Sequence, residues 1–392
     1  MATKKFDIKK SWNATLFILI ALALLGGGLS GLIGRFQTGH EQVGYGSNVP
    51  WGLWVAIYVY LVWLEVGSVL IFTTLHYVFD FKSLKAIKGL AYLTAFTTLA
   101  PALMLIGLDL GHPFRFMNTI TSPNFGSFMA WMIWLHLIYL VFLLVKLALV
   151  VLANRSRKPE RLNKALKVLA LLSLPVGVAL LGTVGSIFGA NSARSFWQMS
   201  ALPLYFLIFA LVAGSGLVTA LFVCFAPKSE ESYAATAGNL GKLTLALLIF
   251  GAMASAFSGL ISLNSNAPAQ ANAIQMIVAG PQQWTFWALY IGLGVLVPSI
   301  LLFVWPKATR VIGIAASLVF VSFAAVPFNI IIAGQTADTL TGADAFTGFG
   351  LQLGYAPTML EWQVVAFALG VGLAIFLTGY YLLPMRKLEM EG

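Results

Sequence analysis

Residues 51–79 are almost entirely apolar, yet they carry a glutamate, Glu65, at their centre. As a helix rising 1.5 Å per residue this segment would be about 40 Å long, enough to cross a hydrocarbon core of roughly 30 Å. A carboxyl group at the middle of a membrane helix costs free energy, and chains that retain one usually use it. The segment therefore predicts a membrane helix with a functional acid. The alternative is a glutamate that only packs, through a hydrogen bond to a neighbouring helix.

Composition extends this prediction to the whole chain. Of the 392 residues, 59% are hydrophobic and 9% are charged, whereas about a quarter of the residues in a soluble protein are charged. We therefore predict an all-α polytopic membrane protein that forms a single integral membrane domain over residues 1–392. Hydropathy places its ten spans near residues 12–35, 51–79, 87–107, 125–152, 165–189, 201–226, 243–263, 284–305, 311–333 and 361–383.

The basic residues predict the orientation of the chain. With the N-terminus inside, every Lys and Arg except Arg35, Arg115 and Arg194 falls on the inner side, including Lys146 at the inner end of its span. This distribution predicts that both termini are cytoplasmic. It also assigns the net charge of +10 to cytoplasmic loops, so we do not expect nucleic-acid binding.

The loops of the predicted outer face are longer than the inner loops and rich in Gly, Asn, Pro and aromatic residues. They cover residues 37–48, 109–124, 264–283 and 334–360, and the last of them carries Asp338 and Asp344 without any basic residue. A membrane protein whose long loops all lie on one face is expected to bind a partner on that face.

A faint internal repeat relates residues 64–68, Leu-Glu-Val-Gly-Ser, to residues 211–215, Leu-Val-Ala-Gly-Ser. Both segments run from the outer to the inner face, so spans two to five (48–190) and six to nine (197–334) are predicted to form two parallel-related four-helix bundles, flanked by spans one and ten. Val212 stands where the first copy has Glu65. The chemistry is therefore predicted to lie in the first bundle.

Polar residues follow Glu65 along its helix. Tyr58 precedes it by seven residues and His76 follows it by eleven, and on a helix of 3.6 residues per turn both offsets return to nearly the same face. Tyr58, Glu65 and His76 are therefore predicted to form one polar stripe.

The fourth span adds a second set of polar groups. Counted from the outer face, His136 lies about 17 Å deep and Glu65 about 21 Å deep, so they are predicted to share one level. Tyr139 is one turn further in, and Lys146 follows on the same face. A carboxylate, an imidazole and a phenol at adjoining depths can pass protons, so we predict a relay; the alternative for His136 is a packing histidine.

A second group of polar residues lies at the outer face. Asp109, His112 and Arg115 fall together where the third span ends. Aromatic walls with hydrogen-bond donors suit a quinone ring and its two carbonyl groups, whereas the alternative is an interfacial aromatic belt with arginines reaching to the lipid headgroups. The predicted headgroup region comprises Asn48, Trp51, Asp109, His112, Arg115, Arg194 and Trp197.

The sequence argues against metal cofactors in this chain. Cys224 is the single cysteine, which excludes iron–sulfur ligation. His76 and His136 differ in predicted depth by about 20 Å, while His40 and His112 belong to outer loops, so no pair of axial haem ligands forms. We predict no haem, iron–sulfur cluster or other metal here.

Three motifs resemble those of the NrfD/PsrC-like family, the membrane subunits of polysulfide reductase and related complexes. NVPWGLW (48–54) opens the second span and DLGHP (109–113) closes the third. YAPTMLEW (355–362) resembles the ten-span branch, which includes DsrP-like proteins and membrane subunits of hydrogenases. With the spans, the resemblance covers nearly the whole chain.

The resemblance implies a subunit of the prokaryotic cytoplasmic (inner) membrane that itself holds no haem or cluster and takes part in anaerobic respiration. Such subunits exchange electrons with a ferredoxin-like iron–sulfur subunit on the outer face, and through it with a catalytic subunit. They bind menaquinone or ubiquinone near that face, within the first bundle. The chain departs from the family in having His112 where arginine is common, and in having Glu65 at all.

We therefore expect the membrane subunit of a respiratory oxidoreductase, linked to a quinone that we expect to be menaquinone, with a proton path through the first bundle. Conversion of the terminal substrate is expected on partner subunits. The alternatives are a quinone-independent proton-conducting module of such a complex and, in a different class, a secondary transporter. Against the transporter stands the lack of Gly/Pro-broken helices at matching places in the two halves.

Overall fold

The computed structural model describes residues 12–229, 231–337 and 354–384. Within those residues all regular structure is helical, and ten helical segments are long and apolar enough to cross a membrane. The predicted all-α polytopic fold is confirmed. The two chain termini, which we predicted to be cytoplasmic, lie outside the described residues. So do Asp338 and Asp344 of the predicted outer loop.

The first half of the chain contains α1 (Trp12–Thr38), α2 (Leu53–Thr73), α3 (Lys88–Asp109), α4 (Met117–Thr121), α5 (Phe128–Arg155) and α6 (Glu160–Gly189). The second half contains α7 (Leu202–Phe225), α8 (Tyr233–Leu263), α9 (Pro268–Ala279), α10 (Val297–Val304), α11 (Thr309–Ser322), α12 (Ala325–Thr336) and α13 (Met359–Leu382). A π-helix at Thr74–Val78 ends the second span, and another at Thr285–Leu296 begins the eighth.

The boundaries agree with the predicted spans except in the seventh, which begins at Tyr233 rather than near residue 243. Residues 233–242 are only moderately apolar, but they include three alanines and contain no proline. Such a segment can continue a helix beyond the hydrocarbon core. Hydropathy does not detect this part of the helix, because it identifies only the apolar residues within the core.

The helices pack as two four-membered groups. α2, α3, α5 and α6 form a ring, the first bundle; α7, α8, the eighth span (Thr285–Val304) and α11–α12 form another, the second bundle. α2 packs along α7 and joins the bundles, while α1 pairs with α13, which rests on α3. α2 is therefore surrounded by protein, and 94% of the most apolar 18-residue stretch of this span is buried. Its glutamate faces other helices rather than lipid.

The two copies of the predicted repeat meet where α2 crosses α7. A Cβ atom on Gly67 would clash with the backbone of Ala210, and one on Gly214 would clash with the backbone of Gly67. Ser68 and Ser215 each donate a hydrogen bond to the carbonyl three residues earlier. Small residues allow membrane helices to approach closely, so these glycines hold the bundles together.

The loops separate into two ends. The connections 39–52, 110–127, 190–201 and 264–284 meet at what we call the long-loop end, where Arg194 donates a hydrogen bond to the carbonyl of Asn48 (2.7 Å). The short basic connections meet at the opposite, basic end, where Lys88 donates to Asn163 (2.9 Å).

Candidate functional site

Glu65 lies in the interior of the first bundle with no exposed surface. Neither of its carboxyl oxygens has a hydrogen-bond partner among the described residues. It interacts electrostatically with Lys146 of α5, which is also fully buried. The Lys146 amino group donates to the hydroxyl of Ser173 (2.9 Å) and lies 5.0 Å from the ring centroid of Tyr92. A buried acid and a buried base thus share the interior of the first bundle without a direct ion pair.

Tyr58 and His136 stand on the long-loop side of this pair. Their ring centroids are 5.9 Å apart, and the Tyr58 hydroxyl donates to the sulfur of Met132 (3.0 Å). His136 Nδ1 is 2.9 Å from the carbonyl oxygen of Met132. Because a carbonyl only accepts, Nδ1 carries a proton, and Nε2 of the neutral ring is left as an acceptor.

Tyr139 shares the surroundings of Lys146, since its ring centroid is 5.6 Å from the Lys146 amino group. Gly177 of α6 lets the helices approach here, because a Cβ on it would lie 2.9 Å from Val66 Cγ1. Tyr139 and Glu65 also interact electrostatically. The structure thus brings together four of the five predicted relay residues: Tyr58, Glu65, His136 and Tyr139.

The first bundle contains a row of buried polar atoms on α5, α2 and α3. His136 Nε2, both Glu65 oxygens and the Tyr139 hydroxyl have no hydrogen-bond partner among the described residues. The Tyr92 hydroxyl and Thr73 Oγ1 complete the row, and Tyr92 interacts with Thr73 and Tyr77. Buried polar groups normally bond to protein or to ordered water, so the unpartnered atoms are where a chain of waters fits.

The structure places His76 apart from this row. It belongs to the π-helix at the basic end, where Nδ1 is 3.2 Å from the carbonyl oxygen of Phe81. Its rise above Glu65 is about 16 Å, and the wider π-turn changes the face on which it emerges. Thr73 lies between Glu65 and His76 on the chain. Tyr92 of α3 is in ring contact with its neighbour Phe72, so α3 contributes a polar group to this stretch.

The His136 ring packs against Tyr58, the residue two helical turns before Glu65 on α2. The common level of His136 and Glu65 stays a prediction.

Lys146 was predicted at the inner end of its span, on the helical face of Tyr139. It lies nine residues before Arg155, the last residue of α5, where it is fully buried and hydrogen-bonded to Ser173 of α6. Sequence reasoning counted it among the basic residues that set orientation and missed its burial. Its isolation in an apolar run was the available signal.

Part of the predicted headgroup region assembles between the two bundles at the long-loop end. The Trp51 and Trp197 rings have centroids 5.5 Å apart. Arg194 donates to the carbonyls of Asn48 (2.7 Å) and Gln335 (3.0 Å), and the Gln335 side chain bonds both backbone groups of Trp51. We call this the tryptophan cluster.

Asp109 joins a different group. It accepts a hydrogen bond from the Tyr45 hydroxyl (2.7 Å), while Arg35 donates to the carbonyls of Leu108 (2.8 Å) and Leu110 (2.9 Å). Burial and then the Asp109 carboxylate raise the pKa of Tyr45. These bonds fix the end of α3 against α1.

His112 and Arg115 are both exposed. His112 directly precedes the short helical turn Pro113–Phe116, and Arg115 belongs to it. The structure brings neither of them to the tryptophan cluster or to Asp109.

Glu361 at the start of α13 organises the long-loop end, which sequence reasoning missed. It is fully buried and accepts from the backbone N–H groups of Gly44 (2.8 Å) and Leu53 (3.2 Å) and from the Tyr355 hydroxyl. It also forms a capping box with Thr358. The Thr-x-x-Glu spacing was the available signal for the cap. Nothing local indicated its bond to α2.

Glu361→Ala is expected to lower the melting temperature of the detergent-solubilised protein by several degrees. The substitution removes the acceptor of the Gly44 N–H and of the Tyr355 hydroxyl, and one of the two acceptors of the Leu53 N–H. Each buried donor left unpaired costs about 1–3 kcal/mol. Differential scanning fluorimetry measures the shift. Glu41→Ala, which removes an exposed acid nearby, is the control and should not change the melting temperature. Equal melting temperatures for Glu361→Ala and wild type would contradict the structural role.

Comparison with known proteins gives a consistent result. The family model described as polysulphide reductase, NrfD, matches residues 41–337. A selenate reductase subunit of Mesobacillus selenatarsenatis is 27% identical, covering 93% of this chain and 92% of that protein. The Hdr-like menaquinol oxidoreductase integral membrane subunit of Archaeoglobus fulgidus is 27% identical over 88% of each chain. A putative dimethyl sulfoxide reductase membrane subunit of Halobacterium salinarum is 26% identical, covering 96% and 92%.

Proposed function

The chain belongs to the polysulphide reductase NrfD family, as its motifs predicted, and we propose that it exchanges electrons between a quinone pool and an iron–sulfur partner subunit. It is a multi-pass integral membrane protein and the membrane subunit of an oxidoreductase complex with catalytic partner subunits. Our proposal adds the quinone, preferably menaquinone, the extracytoplasmic position of the iron–sulfur subunit, a proton path through the first bundle, and location in the prokaryotic cytoplasmic membrane with both termini inside.

The observation that carries the proton path is the buried pair of Glu65 and Lys146 within a row of buried polar atoms. Ionisable groups inside a membrane domain are costly and mark routes for ions or protons. The relative that is a menaquinol oxidoreductase subunit supports the quinone, because quinol oxidation releases protons as well as electrons. A selenate reductase subunit among the relatives supports a respiratory setting.

The long-loop end is the proposed docking face for the iron–sulfur subunit. Its loops carry few basic residues, and 88% of the Phe114 side chain is exposed there. Exposed aromatic side chains are typical of protein interaction sites. The tryptophan cluster and Glu361 hold the surrounding loops in place, so the face is preformed.

Cysteine cross-linking in the purified complex tests this orientation. In a Cys224→Ser background, Phe114→Cys at the long-loop end is expected to cross-link the iron–sulfur subunit through a short thiol-reactive linker. Lys158→Cys, an equally exposed site at the basic end, is the matched control and should not do so. Capture of the iron–sulfur subunit through Lys158→Cys alone would overturn the proposed docking face.

A further inference from the structure

A cavity of about 450 Å³ lies inside the second bundle near the long-loop end. It is enclosed by α7, α8, the eighth span and α12, and residues of α9 cover it. Pockets for small organic ligands have volumes of about 300–1,000 Å³. The cavity is therefore large enough for the ring of a lipid-soluble ligand and part of its tail.

The wall of this cavity is aromatic with a few polar groups. Tyr205 and Phe209 present nearly parallel rings, and Phe286 and Tyr290 stand across from α8. The hydroxyls of Tyr290 and Ser255 are 2.7 Å apart. Flat, apolar walls of this kind suit a planar ring more closely than a flexible acyl chain.

Asn329 of α12 supplies an unpaired polar group in the wall. One end of its side-chain amide is 2.5 Å from the Thr285 hydroxyl, whose single hydrogen also has the carbonyl oxygen of Gln282 within reach (2.8 Å). The other end of the amide is buried and has no partner among the described residues. The ring oxygens of a quinone or its quinol, which accept or donate a hydrogen bond, would satisfy it, whereas a hydrocarbon tail would not.

The cavity is bordered by side chains that face the bilayer. Leu260 and Trp287, which line it, are 55% and 53% exposed on the outer surface of the membrane domain. A ligand that enters between them comes from the lipid phase.

The cavity also adjoins the tryptophan cluster. Phe196 lies in its wall, and the indole N–H of the next residue, Trp197, donates to the carbonyl of Ile330, another wall residue (2.9 Å). Trp51, Trp197 and Phe188 are in mutual ring contact. Two of the predicted headgroup residues, Trp51 and Trp197, thus lie between the cavity and the first bundle.

We propose that this cavity binds the ring of an isoprenoid quinone, with Asn329 hydrogen-bonded to a ring oxygen and the tail leaving between Leu260 and Trp287. The site lies in the second bundle, behind the tryptophan cluster, and neither within the first bundle, as the resemblance implied, nor among His112 and Arg115. This assignment rests on the proposed quinone-linked function and gives it a location.

Photolabelling of the purified complex with an azido-naphthoquinone carrying a short isoprenoid tail tests the assignment. The label is expected on peptides of α8, α9 and the eighth span. Gly259→Phe places a ring into the cavity from a position where a Cβ meets no atom within 4 Å, and should reduce labelling at least about tenfold. Gly182→Phe, at an equally open glycine outside the cavity, is the matched control and should label as wild type does.

Asn329→Leu provides a second variant that does not fill the cavity. It removes the unpaired polar group at similar size and should reduce labelling about tenfold, with the complex still assembled. Undiminished labelling in both variants would overturn the site. So would a photoreactive phospholipid that labels the same peptides and is not displaced by the quinone. Labelling at other peptides would also reject the site but keep the quinone link; a wild-type complex that takes up no probe at all would reject the proposed function itself.

Discussion

Replacing Glu65 with glutamine is expected to leave the complex assembled and to slow its proton-coupled turnover by about tenfold or more, since positioned acids and bases contribute factors of this size or larger. Glutamine preserves the shape of the side chain and much of its hydrogen bonding but removes the titratable proton. Glu65→Asp should retain part of the rate, because it shortens the reach without removing the acid. Turnover and proton release by the complex in proteoliposomes measure both effects.

Lys146 provides the internal check on this prediction. Lys146→Met removes the buried base that interacts with Glu65, and with it a second titratable group of the proposed path, so turnover should fall to a similar extent. If the two residues act as one unit, the double variant with Glu65→Gln should be no slower than either single variant. Ser68→Ala, which removes only a local hydrogen bond on the same helix, is the control and should turn over normally. Wild-type turnover and proton stoichiometry in Glu65→Gln would make the glutamate structural and remove the relay.

Gly67→Val and Gly214→Val are expected to prevent accumulation of folded protein. Both glycines lie where α2 crosses α7, and a Cβ at either position would meet the backbone of the facing helix. Side-chain overpacking already costs about 1–3 kcal/mol, and a backbone cannot move aside as a side chain can. The two bundles would then separate along α2, the most buried span. Fluorescence-detected size-exclusion chromatography of tagged variants measures the loss.

Gly107→Val is the matched control for these variants. Gly107 is also a glycine of a spanning helix, but a Cβ there meets no atom within 4 Å, so the folded protein should accumulate as in wild type. Normal accumulation of both Gly67→Val and Gly214→Val would show that the helices do not cross as closely as described.

The predictions that came from the sequence succeeded where a local property decides the outcome. The length of a span is set by the bilayer thickness, and the exclusion of polar backbone from lipid forces each span to be helical. The repeat around Gly67 and Gly214 predicted two bundles because both copies run from the outer to the inner face. The structure adds that its glycines let α2 and α7 pack closely. Glu65 was recognisable because a carboxyl group in an apolar run is exceptional wherever the helix lies.

The partners of these residues were decided by tertiary structure. Whether Glu65 meets Lys146 depends on the rotation and tilt of α5 against α2, which neither helix encodes alone. The π-turn at Thr74–Val78 moves His76 away from the stripe that regular periodicity assigned to it. Glu361 caps its own helix by a local rule, yet its bond to Leu53 joins segments about 300 residues apart and appears only when α13 packs beside α2. Composition and periodicity determine what enters the membrane; the packing of helix against helix determines which polar groups meet inside it.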